Sequence, residues 1–234
     1  MDPRKLHTEY GLDSRLEYQG CAFCEGTPST IDHIPSKALL AKPFPQNLPS
    51  VPACAECNQG FSKDEQYFAC FLDCVLHGAT DSPDLEEATR KTFQRSPALA
   101  ERIARGSYVN QKGELIWIPE MERVQNVLLK LARGHVLYDL SYHELDTPRN
   151  LFCMPLMAMS DDQRWSFENA GGGERTTWPG EMGSRAFLRA VGAPGYETNV
   201  GPWVMVQPER YRYAIENGWV QMVIAEYLAC LVEW

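Results

Sequence analysis

The sequence predicts an α+β fold in which a small cysteine-rich part precedes a larger mixed α/β region. Four of the eight cysteines form two Cys-x-x-Cys pairs before residue 60, in a stretch rich in Pro and Gly. Beyond it, apolar residues at helical spacing alternate with short runs of β-branched and aromatic residues, which indicate helices and strands in one mixed region. We therefore expect two domains, one over residues 1–78 and one over residues 79–234.

The first part predicts a short strand, an extended stretch and a helix. Ser29–Ile34 is expected to be the strand. A helix is expected to begin within Ala53–Gln59 and to be interrupted at Gly60. Ser62–Glu65 fits the capping pattern S-x-x-E, so a second helical segment is expected to begin there. The apolar face of that segment is expected to comprise Tyr67, Phe68, Phe71, Leu72 and Val75. Cys70 and Cys74 are expected to be small buried hydrophobic residues.

The later elements follow from periodicity and composition. Helices are expected over Leu85–Thr92 and Ala98–Ala104, and around Val124, Val127, Leu128 and Leu131, with Gly134 as the stop. Strands are expected at Glu114–Pro119, Leu151–Met159 and Trp203–Gln207, and long or paired strands over Trp219–Trp234. The glycines Gly171–Gly173 indicate a flexible loop.

The composition argues against some functions. There are 22 Lys and Arg against 31 Asp and Glu, a net charge of −9, so broad electrostatic attraction to nucleic acid is not expected. The N-terminal residues are polar and charged, and no apolar run approaches the roughly 20 residues of a membrane span. We therefore expect no secretion signal and no membrane contact, with the cytoplasm as the default location.

Four cysteines have the spacing of a metal site. Cys21 and Cys24 form one pair, Cys54 and Cys57 form the other, and 29 residues separate the pairs. Two such pairs can complete a tetrahedron around Zn²⁺, and because a site of four thiolates is closed, the zinc is expected to be structural. The alternative is four unrelated thiols. Disulfides are disfavoured in a chain without a secretion signal.

A second pattern lies between and beside these pairs. Ile31-Asp32-His33-Ile34-Pro35 is followed by Asn47-Leu48, and Asn58 comes directly after the last cysteine. In this order the sequence resembles the HNH endonuclease family, whose pattern runs C-x-x-C, D-H-I-x-P, N-L and C-x-x-C-N/H. The resemblance extends from Cys21 to about Lys63, less than a fifth of the chain. It implies a ββα-metal fold, with two strands and a helix around one cation.

The resemblance also implies a reaction, the hydrolysis of phosphodiester bonds in DNA. His33 would be the general base, since a neutral imidazole can take a proton near physiological pH. Asp32 and Asn58 would bind a single catalytic divalent cation, Mg²⁺ or another. Asn47 would orient His33 through its backbone or side-chain amide. The products would carry a 5′-phosphate.

The chain departs from the family pattern at Pro35, which follows Ile34 without an intervening residue, and in two further places. Asn58 stands where many members have His. Phe61 stands where many members have Lys or Arg, and the first lysine after it is Lys63. Lys37 and Lys42, in the Pro-rich stretch, are the nearest other candidates for binding phosphate.

Each candidate also has an ordinary structural interpretation. His33 could be a turn histidine, Asp32 a turn or helix cap, and Asn47 a plain turn residue. The lysines could be solvated surface charge. Tyr211–Tyr213 alternates aromatic and basic side chains, which could stack on bases or could form an amphipathic strand, the commoner case.

Two hypotheses of function follow. The first is a metal-dependent DNA endonuclease, for which a bacterial or phage defence system with a partner protein is one setting. The alternative is a non-catalytic zinc-ribbon module that binds nucleic acid or protein, favoured by the acidic charge and by the missing basic residue after Asn58. The sequence leaves open DNA against RNA, the identity of the catalytic metal, and whether the protein forms a homodimer or needs a partner.

Overall fold

A computed structural model describes residues 20–169, 182–196 and 202–234 and confirms the α+β class. The glycines Gly171–Gly173, predicted to form a loop, lie outside the described residues. None of the described helices is long and apolar enough to cross a membrane.

The backbone divides into two compact units, and this division differs from the predicted boundary between residues 78 and 79. The first unit combines the described parts of Met1–Gly60 and Leu128–Trp234, and the second is Phe61–Val127. The prediction assumed contiguous domains. In the structure, the turn at Val136–Leu140 contacts the strand Ser50–Ala53, so the cysteine-rich segment shares a unit with residues far along the chain.

The first unit begins with a hairpin that leads into a helix. Strands β1 (Thr30–His33) and β2 (Ser50–Ala53) are antiparallel, with Thr30 opposite Ala53 and His33 opposite Ser50. A short 3-10 turn, Lys37–Leu39, lies in the connection. Helix α1 (Ala55–His77) follows β2 after a single residue. This order of strand, strand and helix is the topology that the resemblance implied.

Helix α1 continues through Gly60, so the predicted interruption is wrong. Ser62 and Glu65 lie inside the helix and do not cap a new one. A glycine inside a helix costs about 1 kcal/mol relative to alanine. Burial of the apolar side chains that follow, including Tyr67 and Phe68, outweighs that cost because each large apolar side chain contributes roughly 1.5–3 kcal/mol.

The second unit is largely helical. It contains most of α1, the helices α2 (Glu87–Arg95) and α3 (Pro97–Arg105), the β3–β4 hairpin (Ser107–Val109 with Leu115–Trp117), and the start of α4 (Met121–His135). Its core comprises Tyr67, Cys70, Phe71, Cys74, Leu85 and Ile103. Cys70 and Cys74 are therefore buried hydrophobic residues, as predicted.

A five-stranded antiparallel sheet forms most of the rest of the first unit. Its strands are β5 (Asn150–Pro155), β6 (Val204–Gln207), β7 (Tyr211–Glu216), β8 (Trp219–Ile224) and β9 (Leu228–Glu233), in the order β5-β9-β8-β7-β6. The paired strands predicted at the C-terminus are β8 and β9. Two short helices, α5 (Asp161–Glu168) and α6 (Arg185–Ala190), lie between β5 and β6 in the chain. On one face of the sheet, Ala214, Val223 and Ala229 form a buried cluster with Leu156, Phe167 and Trp203.

The segment Tyr211–Tyr213 is a buried strand and not a surface for stacking bases. Tyr211 and Tyr213 are both fully buried. Between them, Arg212 donates to the carboxylates of Glu168 and Glu226 at 2.8–3.2 Å and lies over the Trp203 ring. All three guanidinium nitrogens thus donate within the protein, and the side chain is buried, so Arg212 is not placed to bind phosphate.

A buried histidine joins the end of α4 to this sheet. The helix passes Gly134, its predicted stop, ends at His135 and continues as a π-helical turn over Val136–Leu140. The His135 ring stacks on Tyr213 with centroids 3.7 Å apart, and its Nε2 is 2.9 Å from the Tyr211 hydroxyl. Burial lowers the pKa of His135 to about 3, so the folded protein holds this imidazole neutral.

Two helical glycines have opposite surroundings, and we expect opposite effects from replacing each with alanine. A Cβ at Gly60 would meet nothing within 4 Å, whereas a Cβ at Gly134 would lie 2.5 Å from Cδ1 of the buried Ile34. Gly60→Ala should raise stability by about 0.5–1 kcal/mol. Gly134→Ala should lower it, because overpacking costs about 1–3 kcal/mol. Urea unfolding of both variants checks this; equal shifts would contradict the close packing of α4 on Ile34.

We expect His135 to make the protein less stable in acid. An unfolded histidine titrates near pH 6.5, and its lowered pKa in the fold means that the folded state resists protonation. The contribution of neutral His135 is therefore complete above about pH 6.5 and is lost as the pH falls from there towards 3, at up to about 1.4 kcal/mol per pH unit. Urea midpoints at pH 7 and pH 5 measure the slope. His135→Phe should flatten it, and an unchanged slope would contradict this role.

Candidate functional site

The four cysteines predicted to bind a metal lie together. Their Sγ atoms are all within 4.8 Å of one another, and those of Cys24 and Cys54 are 3.8 Å apart. A tetrahedral zinc ion with Zn–S bonds of about 2.3 Å would separate its thiolates by about 3.8 Å. The cluster could therefore hold a metal ion such as zinc.

Local backbone geometry presents the thiolates of each pair. The Cys21 amide donates to the Gly26 carbonyl at 2.7 Å, and the Glu25 amide donates to the Cys21 carbonyl at 2.8 Å. Glu25 has a φ of 56°, which closes this turn. In the second pair, the Cys57 amide donates to Cys54 Sγ at 3.4 Å. That hydrogen bond lowers the pKa of Cys54 and favours the thiolate, the form that binds metal.

The β1–β2 hairpin joins the two pairs. The Ala22 amide, inside the first pair, donates to the Pro52 carbonyl on β2 at 2.9 Å. The Ala55 amide, inside the second pair, donates to the Ser29 hydroxyl just before β1 at 3.1 Å. The first pair is thus hydrogen-bonded to β2, and the second pair to the residue before β1. The two pairs therefore lie close together in space although 29 residues separate them in the sequence.

His33, the predicted general base, is the last residue of β1 and is half-buried. Its Nδ1 is buried and has no hydrogen-bond partner among the described residues. Burial lowers the pKa of His33, and the positive charges of Lys37 and Lys130 lower it further. The side chain is therefore a neutral imidazole near pH 7, which is the state that can accept a proton.

Asn58, a predicted metal ligand, lies in the first turn of α1 and is hydrogen-bonded to β1. Its Nδ2 donates to Thr30 Oγ1 at 3.1 Å and to the Ile31 carbonyl at 3.0 Å. These contacts hold the start of the helix against the strand that carries His33. The amide has one metal-binding atom, the carbonyl Oδ1.

Asp32, the other predicted metal ligand, forms a buried ion pair that the sequence analysis missed. Its Oδ2 lies 2.7 Å from Nζ of Lys130 on α4, and the exposed fractions of the two side chains are 10% and 1%. The pair joins residues 98 positions apart. The sequence position of Lys130 could have indicated a buried partner. Lys130 falls between the apolar positions Val127 and Leu131 on the buried face of α4, where an unpaired charge is disfavoured.

Lys130 competes with a divalent cation for the carboxylate of Asp32. Mg²⁺ binds oxygen ligands at about 2.0–2.1 Å, and at Asp32 Oδ2 it would lie beside the ammonium that is 2.7 Å from the same oxygen. In the part of the chain that the structure describes, the four cysteines are the only group of three or more His, Cys, Asp or Glu side chains that could share a metal ion. An ion pair thus stands where the sequence analysis expected an oxygen-rich cation site.

The predicted orienting contact from Asn47 is not formed among the described residues. Asn47 lies in an exposed turn of the β1–β2 connection. Ile34, the residue after His33, is held by a main-chain hydrogen bond instead: its amide donates to the Pro49 carbonyl at 2.8 Å. Backbone pairing of the hairpin therefore determines where His33 lies.

The three lysines proposed to bind phosphate are all exposed. Lys37 is close enough to His33 to lower the pKa of that imidazole. The Nζ atoms of Lys37 and Lys42 lie 5.7 and 6.0 Å from the centroid of the Phe44 ring. Gln207 on β6 anchors this loop, since it exchanges two hydrogen bonds of 2.9 Å with the backbone of Ala41. Lys63 lies on α1 within the second unit.

No family model matches the chain, and neither a curated protein nor a solved structure shows significant similarity to it. The resemblance to HNH endonucleases therefore depends on the motif, on the order of the elements and on the positions of the named side chains.

Proposed function

We propose that this protein is an endonuclease of the HNH type, which hydrolyses phosphodiester bonds in DNA with His33 as the general base. The observation that carries the proposal is the state of His33. It is half-buried at the end of β1, its pKa is lowered, and its Nδ1 makes no hydrogen bond among the described residues. A neutral imidazole can accept a proton from water.

The neighbourhood of His33 supports the same chemistry. In the reaction, the oxygen of water forms a bond to phosphorus while its proton passes to His33. The bond from phosphorus to the leaving sugar oxygen breaks, and that oxygen takes a proton from solvent. Negative charge develops on the phosphate during this step and favours a nearby cation. Lys37 is exposed and close enough to His33 to act on it electrostatically, so we assign it to the phosphate. A local cation also reduces the objection raised by the net charge of −9.

We further propose that the four-cysteine cluster holds a structural zinc ion. All four donors are thiolates, which leaves no open position for water or substrate. The cluster ties the turn at residues 21–26 to the start of α1, and so it would hold in place the hairpin that carries His33. A small segment rich in Pro and Gly has little apolar core of its own, and a bound metal supplies much of its folding free energy.

A second candidate, the non-catalytic zinc module, is favoured by one observation. The carboxylate of Asp32 is engaged by Lys130, so the acidic residue of the motif already has a structural role. This candidate predicts bound zinc and binding of nucleic acid or protein without cleavage under any conditions.

We expect His33→Ala to reduce the cleavage of supercoiled plasmid by about 10²–10⁴-fold, the usual contribution of a general base. The assay includes Mg²⁺, Mn²⁺, Ni²⁺ and chelator arms, and His77→Ala is a matched histidine control on α1. Because the pKa of His33 is lowered, the wild-type rate should rise with pH and reach half its maximum below pH 6.5. A folded His33→Ala protein that cleaves like the wild type would exclude His33 as the base, and no cleavage by the wild type would favour the second candidate.

We expect Cys54→Ser to lose zinc and to loosen the hairpin, because a metal-dependent fold loses its stabilisation with one ligand. Metal analysis should give about one zinc per wild-type chain and clearly less for the variant. Limited proteolysis should then cut the first 60 residues faster. Cys153→Ala, which removes a thiol outside the cluster, is the control and should keep its zinc. Equal zinc in both variants would argue against a four-cysteine site.

A further inference from the structure

Two contacts hold α4 against the end of β1. Lys130 reaches Asp32, and one turn later Gly134 lies against Ile34 so closely that a Cβ would collide with it. Residues four apart share a helix face, and Ile34 lies two residues after Asp32, one position beyond the end of β1. The spacings of the two contacts therefore match, and the absence of a side chain at Gly134 lets the helix approach. The Lys130 ammonium is thus positioned at Asp32 by the packing of two elements.

Burial makes this pair of charges interdependent. Lys130 has 1% of its side chain exposed, and its Nζ also lies 6.0 Å from the centroid of the Phe23 ring, next to the first cysteine pair. A buried ammonium is tolerated where a carboxylate compensates it, and the carboxylate in turn depends on the ammonium. Asp32 is therefore already neutralised by a cation that belongs to the chain.

The position of Lys130 also affects His33. Asp32 and His33 are adjacent in β1, and the positive charge of Lys130 contributes to lowering the pKa of the histidine. Because Lys130 is buried, it acts on His33 through its electric field and not by touching a substrate. It is a positioning residue whose charge favours the neutral imidazole.

We propose that Lys130 replaces the divalent cation of this ββα unit: its ammonium is the permanent counter-charge of Asp32 and keeps metal ions from binding there. If the protein is the proposed nuclease, this inference has a catalytic consequence: cleavage at His33 needs no added divalent metal. Only that consequence rests on the proposed function. The exclusion of metal from Asp32 is a property of the folded chain and can be measured without a substrate.

The test measures Mn²⁺ binding to the full-length, zinc-loaded protein. Electron paramagnetic resonance monitors the binding, since it reports the concentration of free Mn²⁺. We expect no Mn²⁺ site dependent on Asp32 in the wild type. Lys130→Met, which keeps the length of the side chain and removes its charge, should gain about one Mn²⁺ per chain, the number of metal ions that a single carboxylate-centred site holds. The double variant Lys130→Met, Asp32→Asn should lose that site. Lys37→Met, which removes the exposed lysine near His33, is the matched control and should gain none.

Several outcomes would overturn the proposal. One is a wild-type Mn²⁺ site that Asp32→Asn removes. Another is a folded Lys130→Met protein, with wild-type circular dichroism and zinc content, that gains no site. If Lys130→Met does not fold, the comparison of the wild type with Asp32→Asn still decides the question. Failure of the plasmid assay would count against the nuclease alone, since Mn²⁺ binding does not depend on cleavage.

In an active protein, a second measurement separates the electrostatic role from a merely structural one. Removing the charge of Lys130 should shift the pH profile of cleavage towards higher pH, because the pKa of His33 would rise. Lys130→Arg, which keeps the charge, should restore the wild-type profile. A profile that does not move in Lys130→Met would contradict the action of Lys130 on His33.

Discussion

The antiparallel register of β1 with β2 is the constraint on which the candidate site depends. Pairing Thr30 with Ala53 and His33 with Ser50 leaves one cysteine pair before β1 and the other after β2, so that closing the hairpin brings four thiolates within 4.8 Å. The same pairing determines where His33 lies and places the first turn of α1 beside β1, where Asn58 binds the strand. The closeness of the four cysteines and the position of His33 are thus two consequences of one hairpin.

The ion pair between Asp32 and Lys130 connects this hairpin to the rest of the first unit. A backbone hairpin of four-residue strands is marginal by itself. Here it is supported by the cysteine cluster on one side and by α4 on the other, through the ion pair and the contact of Gly134 with Ile34. The next residue of the helix, His135, stacks on Tyr213 of the sheet. A single helix therefore carries the packing of the hairpin, the counter-charge of Asp32 and a buried histidine.

Local charge bears on the proposal that this acidic chain binds a phosphate. The net charge of −9 lowers general affinity for nucleic acid, but the electrostatics of a reaction depend on the few charges within several ångströms. Near His33, Lys130 is paired with Asp32, and the exposed Lys37 is the cation left to meet a phosphate in the proposed function. Elsewhere, acidic side chains accept hydrogen bonds from basic side chains of the protein, as Glu168 and Glu226 do from Arg212. Net charge is therefore a poor guide to this site.

From the sequence we could predict the α+β class, the two cysteine pairs and most helices and strands, and choose His33 as a candidate base, because these depend on spacing along the chain. It misplaced an interruption at Gly60 and a stop at Gly134, since burial in the fold outweighs a local cost of about 1 kcal/mol. The folded structure was needed to show that Asp32 is paired with Lys130, that Tyr211–Tyr213 is buried, and that the hairpin shares a unit with the C-terminal strands. Those facts depend on contacts between residues far apart in the chain, which periodicity and motif spacing do not encode.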